Sequence, residues 1–259
     1  MSSSDAVRSW FEADWPAPPT VRALSTVRGA DGAGVSQGPF AYFNLGSDVG
    51  DDPLAVAENR RRLRSLAGLP AEPNWLKQVH GVTVADLDAV KPGDVVGPRE
   101  AADAAITRSP GRVCAILTAD CMPVVFATAS GDGVAAAHAG WRGLSAGVIR
   151  ATVEALGGAP ERLFAWLGPA IGPKHFEVGA EVREAFLDQD PGAETAFQLN
   201  ARGRFMADLA ELARRQLKKL GVTRIYGGTE CTFDRPDRYF SYRRDGVTGR
   251  QATLIWREA

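Results

Sequence analysis

The hydrophobic positions fall in short runs divided by glycine, proline and polar turns, and predicted strands and helices alternate along the chain. The segment TVRALSTVR (20–28) reads as a strand and runs into a glycine-rich turn at 29–38. Asp51-Asp52-Pro53 ahead of LAVAENRRRLRSLAG predicts a helix, with acidic residues at the cap, proline in the first turn and Gly68 just past the end. Strands are predicted at 74–79, 82–87 and 103–107. VCAILT (113–118), MPVVFATA (122–129) and GVAAAHA (133–139) carry so little polarity that they predict strands buried on both faces. Ser130-Gly131-Asp132-Gly133 joins the last two as a hairpin-type turn. A helix is predicted at about 143–156 before Gly157-Gly158, then a buried strand at 163–168 and helices at 179–188 and 206–220. VTRIYGG and ATLIW close the pattern as strands. Residues 1–19, polar and proline-rich, read as a loose arm, and 20–259 as one domain. The predicted class is α/β: a single mixed domain with buried strands in a central sheet layer and flanking helices.

Composition narrows the function. At 259 residues the chain is large enough to bury a core without staples. With 30 basic and 31 acidic residues the net charge is −1, which provides no electrostatic footprint for nucleic acid or an anionic membrane. No apolar run approaches the roughly 18 residues of a membrane span, and the first residues lack the pattern of a signal peptide. The three cysteines, Cys114, Cys121 and Cys231, are odd in number and lack C-x-x-C spacing, so a reducing, cytoplasmic compartment is expected. Only three histidines are present, His80, His138 and His175, so a site built from many imidazoles is excluded by counting.

Three segments set a soft-donor side chain beside glycine, aspartate or a strand end: WLKQVHG (75–81), LTADCMPVVF (117–126) and AAAHAGWRG (135–143). His80, Cys121 and His138 are too far apart for a zinc-finger loop but suit a site gathered from separate strands. Two imidazoles and a thiolate make a three-ligand set of the kind catalytic zinc uses, leaving a position for water whose pKa falls to about 7. The same residues are equally compatible with a metal-free cysteine nucleophile and histidine base, or with a buried thiol and hydrogen-bonded imidazoles.

FNLG (43–46), GDDPLAVAENRRRL (50–63), KQVHG (77–81), ADAAITR (102–108), LTADCMPVVF, AAAHAGWRGL, GPAIGPKHFEVG (168–179) and FSYRRDGVTGRQATLIW (240–256) together resemble the YfiH/laccase-domain family, in the family's order. That family is also described as purine nucleoside phosphorylase or polyphenol oxidase, of DUF152 type. The resemblance implies one zinc held by His80, Cys121 and His138. It implies phosphorolysis of adenosine, inosine, guanosine and methylthioadenosine, and deamination of adenosine. The partners implied are a small purine nucleoside and phosphate. Copper in the same site would account for the family's older laccase description, but a multicopper oxidase needs roughly ten histidines, and three cannot supply them. A fold-level similarity to the catalytic domain of cytotoxic necrotizing factor toxins keeps a Cys–His hydrolase as an alternative. A quality-control role on cell-wall precursors is another.

Several further residues fall inside the matching motifs. Asp120 is a candidate proton donor or a backbone cap. Arg60, Lys77, Arg142 and Arg244 are candidates for contacting phosphate, with a solvated face as the other reading for the Arg60–Arg64 run. Asn44 either orients a substrate hydroxyl or stabilises the turn before Gly46. Trp141, Phe240 and Tyr242 either stack on a purine or pack in the core. The chain departs from the family's pattern at Lys174-His175-Phe176, where relatives often carry a cysteine pair, so His175 stands as an extra ligand or base without assignment. Cys231 matches a family cysteine of uncertain role, and Cys114 reads as core.

Overall fold

The structure, a computed structural model, describes residues 9–29, 33–89 and 101–259. The first eight residues of the predicted arm, and 30–32 of the glycine-rich turn, lie outside the described residues.

Two mixed sheets are packed face to face. One has the order β1 (Trp10–Glu12), β2 (Val21–Thr26), β14 (Gln251–Arg257), β6 (Val113–Thr118) and β3 (Asn74–Trp75). The other runs β13 (Arg224–Gly227), β9 (Leu163–Leu167), β7 (Met122–Thr128), β8 (Val134–Ala139), β5 (Ala104–Thr107) and β4 (Val84–Asp86). Side-chain alternation along each strand separates the cores. On β6, Cys114 and Ile116 point between the sheets with Val125 and Ala127 of β7, while Val113 and Ala115 face the other way. That outer face packs under α1 (Pro53–Leu66) through Leu63. The opposite face of the six-stranded sheet, with Val124 and Phe126, is covered by α3 (Val148–Leu156) and α5 (Leu209–Lys219). All six residues of β8, His138 included, are buried, as its low polarity predicts, although its neighbours β7 and β5 are antiparallel.

The predicted helix at 143–156 is two helices, α2 (Trp141–Ala146) and α3, because Gly147 takes φ +100° and breaks the ladder between them. Helix 206–220 begins later: residues 205–207 pair as β12 (Phe205–Ala207), and Asp208 then caps α5 by accepting from Glu211 N at 2.9 Å. β12 lies between β10 (Glu177–Val178) and β11 (Phe197–Leu199) in a small third sheet beside α4 (Ala180–Leu187). The predicted strand 74–79 stops at Trp75. Beyond it the Gln78 side-chain amide, not the backbone, bonds both the N–H and C=O of Leu117, at 2.8 Å each. The predicted loose arm is held from Trp10 onward, since β1 pairs with β2 and Phe11 and Trp15 pack against the inter-sheet core. Helix α6 (Tyr242–Asp245) is a single turn within the FSYRRDG motif. Among the described residues no helix is long and apolar enough to cross a membrane.

Candidate metal centre and cavity

The link from β6 to β7 crosses from one sheet to the other, and its corner carries Asp120 and Cys121. Asp120 takes φ +89°, which turns the chain so that the Cys121 sulfur faces the end of β8. Register explains the meeting: Met122 pairs with Ala139 and Pro123 with His138, so one step further sets Cys121 opposite Gly140. A Cβ on Gly140 would stand 2.6 Å from Cys121 Sγ and 3.3 Å from His80 Cδ2, so only glycine leaves room for the centre. His80 arrives from the 76–83 loop with φ +61°. Its position is fixed by Asp103, a fully buried carboxylate that accepts the backbone N–H of Val79, His80 and Gly81 at 3.1, 2.9 and 2.7 Å.

Asp103 also accepts from His138 Nδ1 at 2.8 Å. That bond fixes the tautomer and leaves Nε2 for the centre, the arrangement by which a carboxylate orients a metal-binding histidine. Cys121 Sγ lies 3.8 Å from His80 Nε2, and the two imidazole rings are 4.8 Å apart at 64°. One donor atom from each of the three residues lies within 4.8 Å of the others. A tetrahedral zinc with bonds of about 2.0–2.3 Å has edges of roughly 3.3–3.8 Å, so the residues fit the ion. Burial pushes the Cys121 thiol up, but His138 and His80 outweigh it and hold the group down at about 6. Burial works against the charged form of His138, yet the Cys121 sulfur and Asp103 raise it to about 9. Each group thus favours the charged form of the other, a thiolate beside an imidazolium, and a bound ion would take the place of the proton.

The centre opens into a cavity of about 830 Å³. Trp75, Trp141, Phe176 and Tyr242 give it apolar walls, and Arg60, Lys77, Arg142, Arg243 and Arg250 give it positive charge. A second cavity of about 510 Å³, beside the β7–β8 turn, contains none of the candidate residues.

Arg60, Lys77 and Arg142, expected from their motifs, all line the main cavity. Arg60 stacks over Trp75 at 4.3 Å and holds Leu45 O with two of its nitrogens, at 3.0 and 2.8 Å. Arg244 does not reach the cavity. Its guanidinium is spent on the carbonyls of Thr232, Phe233 and Tyr239 and on Asp245. Its neighbour Arg243 lines the cavity instead, stacked on Phe176 at 5.1 Å. Asn44 is fully buried and fully used: Oδ1 accepts from Gly46 N and Arg250 N, and Nδ2 donates to Gly46 O and Asp51. Of its two readings, these bonds carry the one in which it stabilises the turn before Gly46. Asp120 lines the cavity, but Oδ1 accepts from Thr232 Oγ1 at 2.6 Å and Oδ2 from Arg243 N at 2.7 Å. Of its two readings the backbone cap is the one these bonds carry. Phe240 packs in the core, fully buried. His175 and Cys231 stay away from this centre.

Asp103, Gly140, Arg243 and Arg250 were missed. Arg250 lies half-buried on the wall, where burial lowers its pKa and the attraction of Cys121 and Asp120 opposes that. An aspartate heading an otherwise apolar strand was the available signal for Asp103.

Fold and site define a class: a two-sheet α/β sandwich with a His/Cys/His centre at the mouth of a cationic, aromatic-walled cavity. The family described as multi-copper polyphenol oxidoreductase laccase matches residues 23–258. A protein of Pseudomonas aeruginosa named purine nucleoside phosphorylase is 52% identical over 251 residues, covering 96% of this chain and 99% of that one. The purine nucleoside phosphorylase YfiH of Escherichia coli is 48% identical over 242 residues, covering 93% and 96%. Among solved structures, a Neisseria meningitidis protein of the DUF152 family superposes with a TM-score of 0.91 at 45% identity, covering 97% of this chain and all of that one. YlmD of Geobacillus stearothermophilus superposes at 0.87 with 32% identity, covering 99% and 98%. The chain belongs to this YfiH/laccase-domain family, whose curated relatives bear the name of an enzyme.

Proposed function

We propose that this chain is a purine nucleoside phosphorylase, acting on adenosine, inosine, guanosine and methylthioadenosine with phosphate, and that it also deaminates adenosine to inosine. The observation that carries the reading is the cavity itself: aromatic walls suited to a purine, cationic side chains suited to phosphate, and a polar centre between them.

Phosphorolysis breaks the bond between the purine nitrogen and C1′ of the sugar, and a phosphate oxygen takes its place on C1′. Arg60, Lys77, Arg142, Arg243 and Arg250 neutralise phosphate and bring it to the sugar, with guanidinium forks suited to its oxygens. Trp75, Trp141, Phe176 and Tyr242 stack on the base and exclude water. Asp103 holds His138 and the His80 loop in place, so the donor set is built before substrate arrives. One zinc ion at this centre would be held by His80, Cys121 and His138 and supply Lewis-acid polarisation of an oxygen. In the deamination water replaces the C6 amino group, which leaves as ammonia. Three unpaired cysteines favour work in the reducing cytoplasm.

The Cys121–His138–Asp103 order also supports a second reading, a metal-free thiol hydrolase. It leaves His80 without a task, whereas the metal reading uses all three donors. Copper in the same set would make phenol oxidation a side activity.

The test is to incubate pure protein with adenosine, with and without phosphate, and separate the products. Adenine and ribose 1-phosphate that form only with phosphate, together with inosine formed in either case, are the expected result. None of the three from zinc-replete protein rejects the proposal. A thiol hydrolase would survive chelation and be lost on alkylation, and a phenol oxidase would consume oxygen with a phenol only when Cu²⁺ is added.

A further inference from the structure

Behind the cavity, two loops run side by side. One, 168–176, follows β9, and the other, 228–234, follows β13; a parallel bridge between Ala170 and Cys231 joins them. Ala170 N bonds Glu230 O at 3.2 Å and Thr232 N bonds Ala170 O at 2.9 Å. In the first loop, Gly172-Pro173-Lys174-His175 is a tight turn: His175 N and Phe176 N both donate to Gly172 O, at 3.0 and 3.1 Å. The turn folds His175 back over the second loop, where its ring lies flat on Phe233, 4.2 Å between centroids and 11° between planes.

We propose that His175, Cys231 and Asp234 form a second divalent-metal site, of the zinc class, that clamps these two loops together. One nitrogen, one sulfur and one carboxylate oxygen lie within 4.8 Å of one another. That is close to the roughly 3.3–3.8 Å edges of a tetrahedral zinc site. His175 Nε2 already meets Asp234 Oδ1 at 2.6 Å, so loading the site exchanges that shared proton for the ion and widens the pair by about 1 Å. Cys231 Sγ accepts the Gly172 N–H at 3.3 Å, the kind of backbone donor that supports a metal thiolate. The approach is close: a Cβ on Gly172 would lie 3.2 Å from the sulfur, so a larger residue there would crowd it. The Phe233 stack fixes the imidazole in its ligating orientation before any ion arrives. His175 and Cys231 are half-buried and Asp234 exposed, so an ion has an entry path and a fourth position for water. A mixed nitrogen, sulfur and oxygen set selects zinc-like metals over magnesium or calcium, which take oxygen alone.

The site's place in the fold states its use. The same loops hold the corner that carries Cys121: Ile171 N donates to Asp120 O at 2.9 Å, and Thr232 Oγ1 to Asp120 Oδ1 at 2.6 Å. Arg244 braces the carbonyls of Thr232 and Phe233 from the other side. An ion across His175, Cys231 and Asp234 would therefore pin the back wall of the cavity without touching its contents.

The experiment counts zinc in untagged, zinc-equilibrated protein by elemental analysis, together with a thermal melt. Wild type should hold two ions per chain. His175→Ala and Cys231→Ser should each hold one, and so should His80→Ala/Cys121→Ser, which empties only the other centre. Asp234→Asn, exposed and so safe for folding, should keep the wild-type melt in chelator yet bind the second ion at least tenfold more weakly. Hydrogen exchange in 168–176 and 228–234 should slow on zinc addition in the His80→Ala/Cys121→Ser protein. One ion in wild type, lost with Cys121 and indifferent to His175 and Asp234, would overturn the assignment. Two ions retained by both His175→Ala and Cys231→Ser would do the same.

Discussion

Asp103 collects four N–H donors on one buried carboxylate, three from the backbone of residues 79–81 and one from His138. Two histidines that lie 58 residues apart in the sequence are thus positioned by a single side chain. His80, Cys121 and His138 were legible in the sequence because scarce soft donors beside glycine are conspicuous; Asp103 was not, because an aspartate in ADAAITR resembles a strand edge. Arg243 and Arg244 show why cationic candidates were harder: adjacent residues on a one-turn helix point apart, and only the fold decides which faces the cavity. Gly140 gives a prediction at this scale. Gly140→Ala drives a methyl against the Cys121 sulfur, so metal affinity should fall by about 10–100-fold while the circular dichroism stays that of wild type. Full metal content by elemental analysis would contradict the packing. A second prediction concerns thiol reactivity in chelated protein. Cys121, held at about 6, is mostly thiolate at pH 7, so its alkylation should rise with a midpoint near pH 6 rather than the roughly 8.5 of a free thiol. Cys114, fully buried between the sheets with its pKa pushed up by burial, should stay unlabelled until unfolding. Peptide mass spectrometry across pH 5–9 reads both, and a Cys121 midpoint near 8.5 contradicts the pairing with His138.

At the scale of elements, the apolar runs located the central strands well, since β6, β7 and β8 each begin within one residue of their predicted starts. Boundaries failed where side chains replaced backbone partners, as Gln78 does beyond β3, or where one glycine outweighed a continuous helical pattern, as at Gly147. The α5 surface gives a pH-linked prediction. Asp190 accepts from Arg215 at 2.8 Å and pairs with Lys219 at 3.0 Å, and the Arg215 hydrogen bond holds its carboxyl down at about 2 against a usual 3.8. Because the folded pKa is the lower one, the stability it contributes is present above pH 4 and is lost as pH falls from about 4 towards 2. With both cations partly exposed, Asp190→Asn should cost about 0.5–1 kcal/mol at pH 7. The gap between variant and wild type, measured by urea unfolding, should narrow below pH 4, and a gap that widens there would contradict the pairing.

Across the whole molecule, the class of fold was readable but the arrangement of sheets was not. Only three residues, Ala119, Asp120 and Cys121, separate β6 from β7, yet the two strands belong to different sheets, a crossing that no local pattern encodes. That crossing positions Cys121, and the β7–β8 register then brings His138 and Gly140 to it. The single domain therefore assembles one donor set from three distant segments at the mouth of one cavity. The central claim is that this donor set, loaded with one zinc, drives phosphorolysis there. The most direct measurement strips the protein of metal, restores zinc in known equivalents, and follows adenine release from adenosine and phosphate at each step. The account predicts that activity disappears on stripping, returns at zinc levels that refill His80, Cys121 and His138, and never returns in Cys121→Ala. Stripped protein that stays fully active, or a Cys121→Ala variant that recovers with zinc, would contradict it.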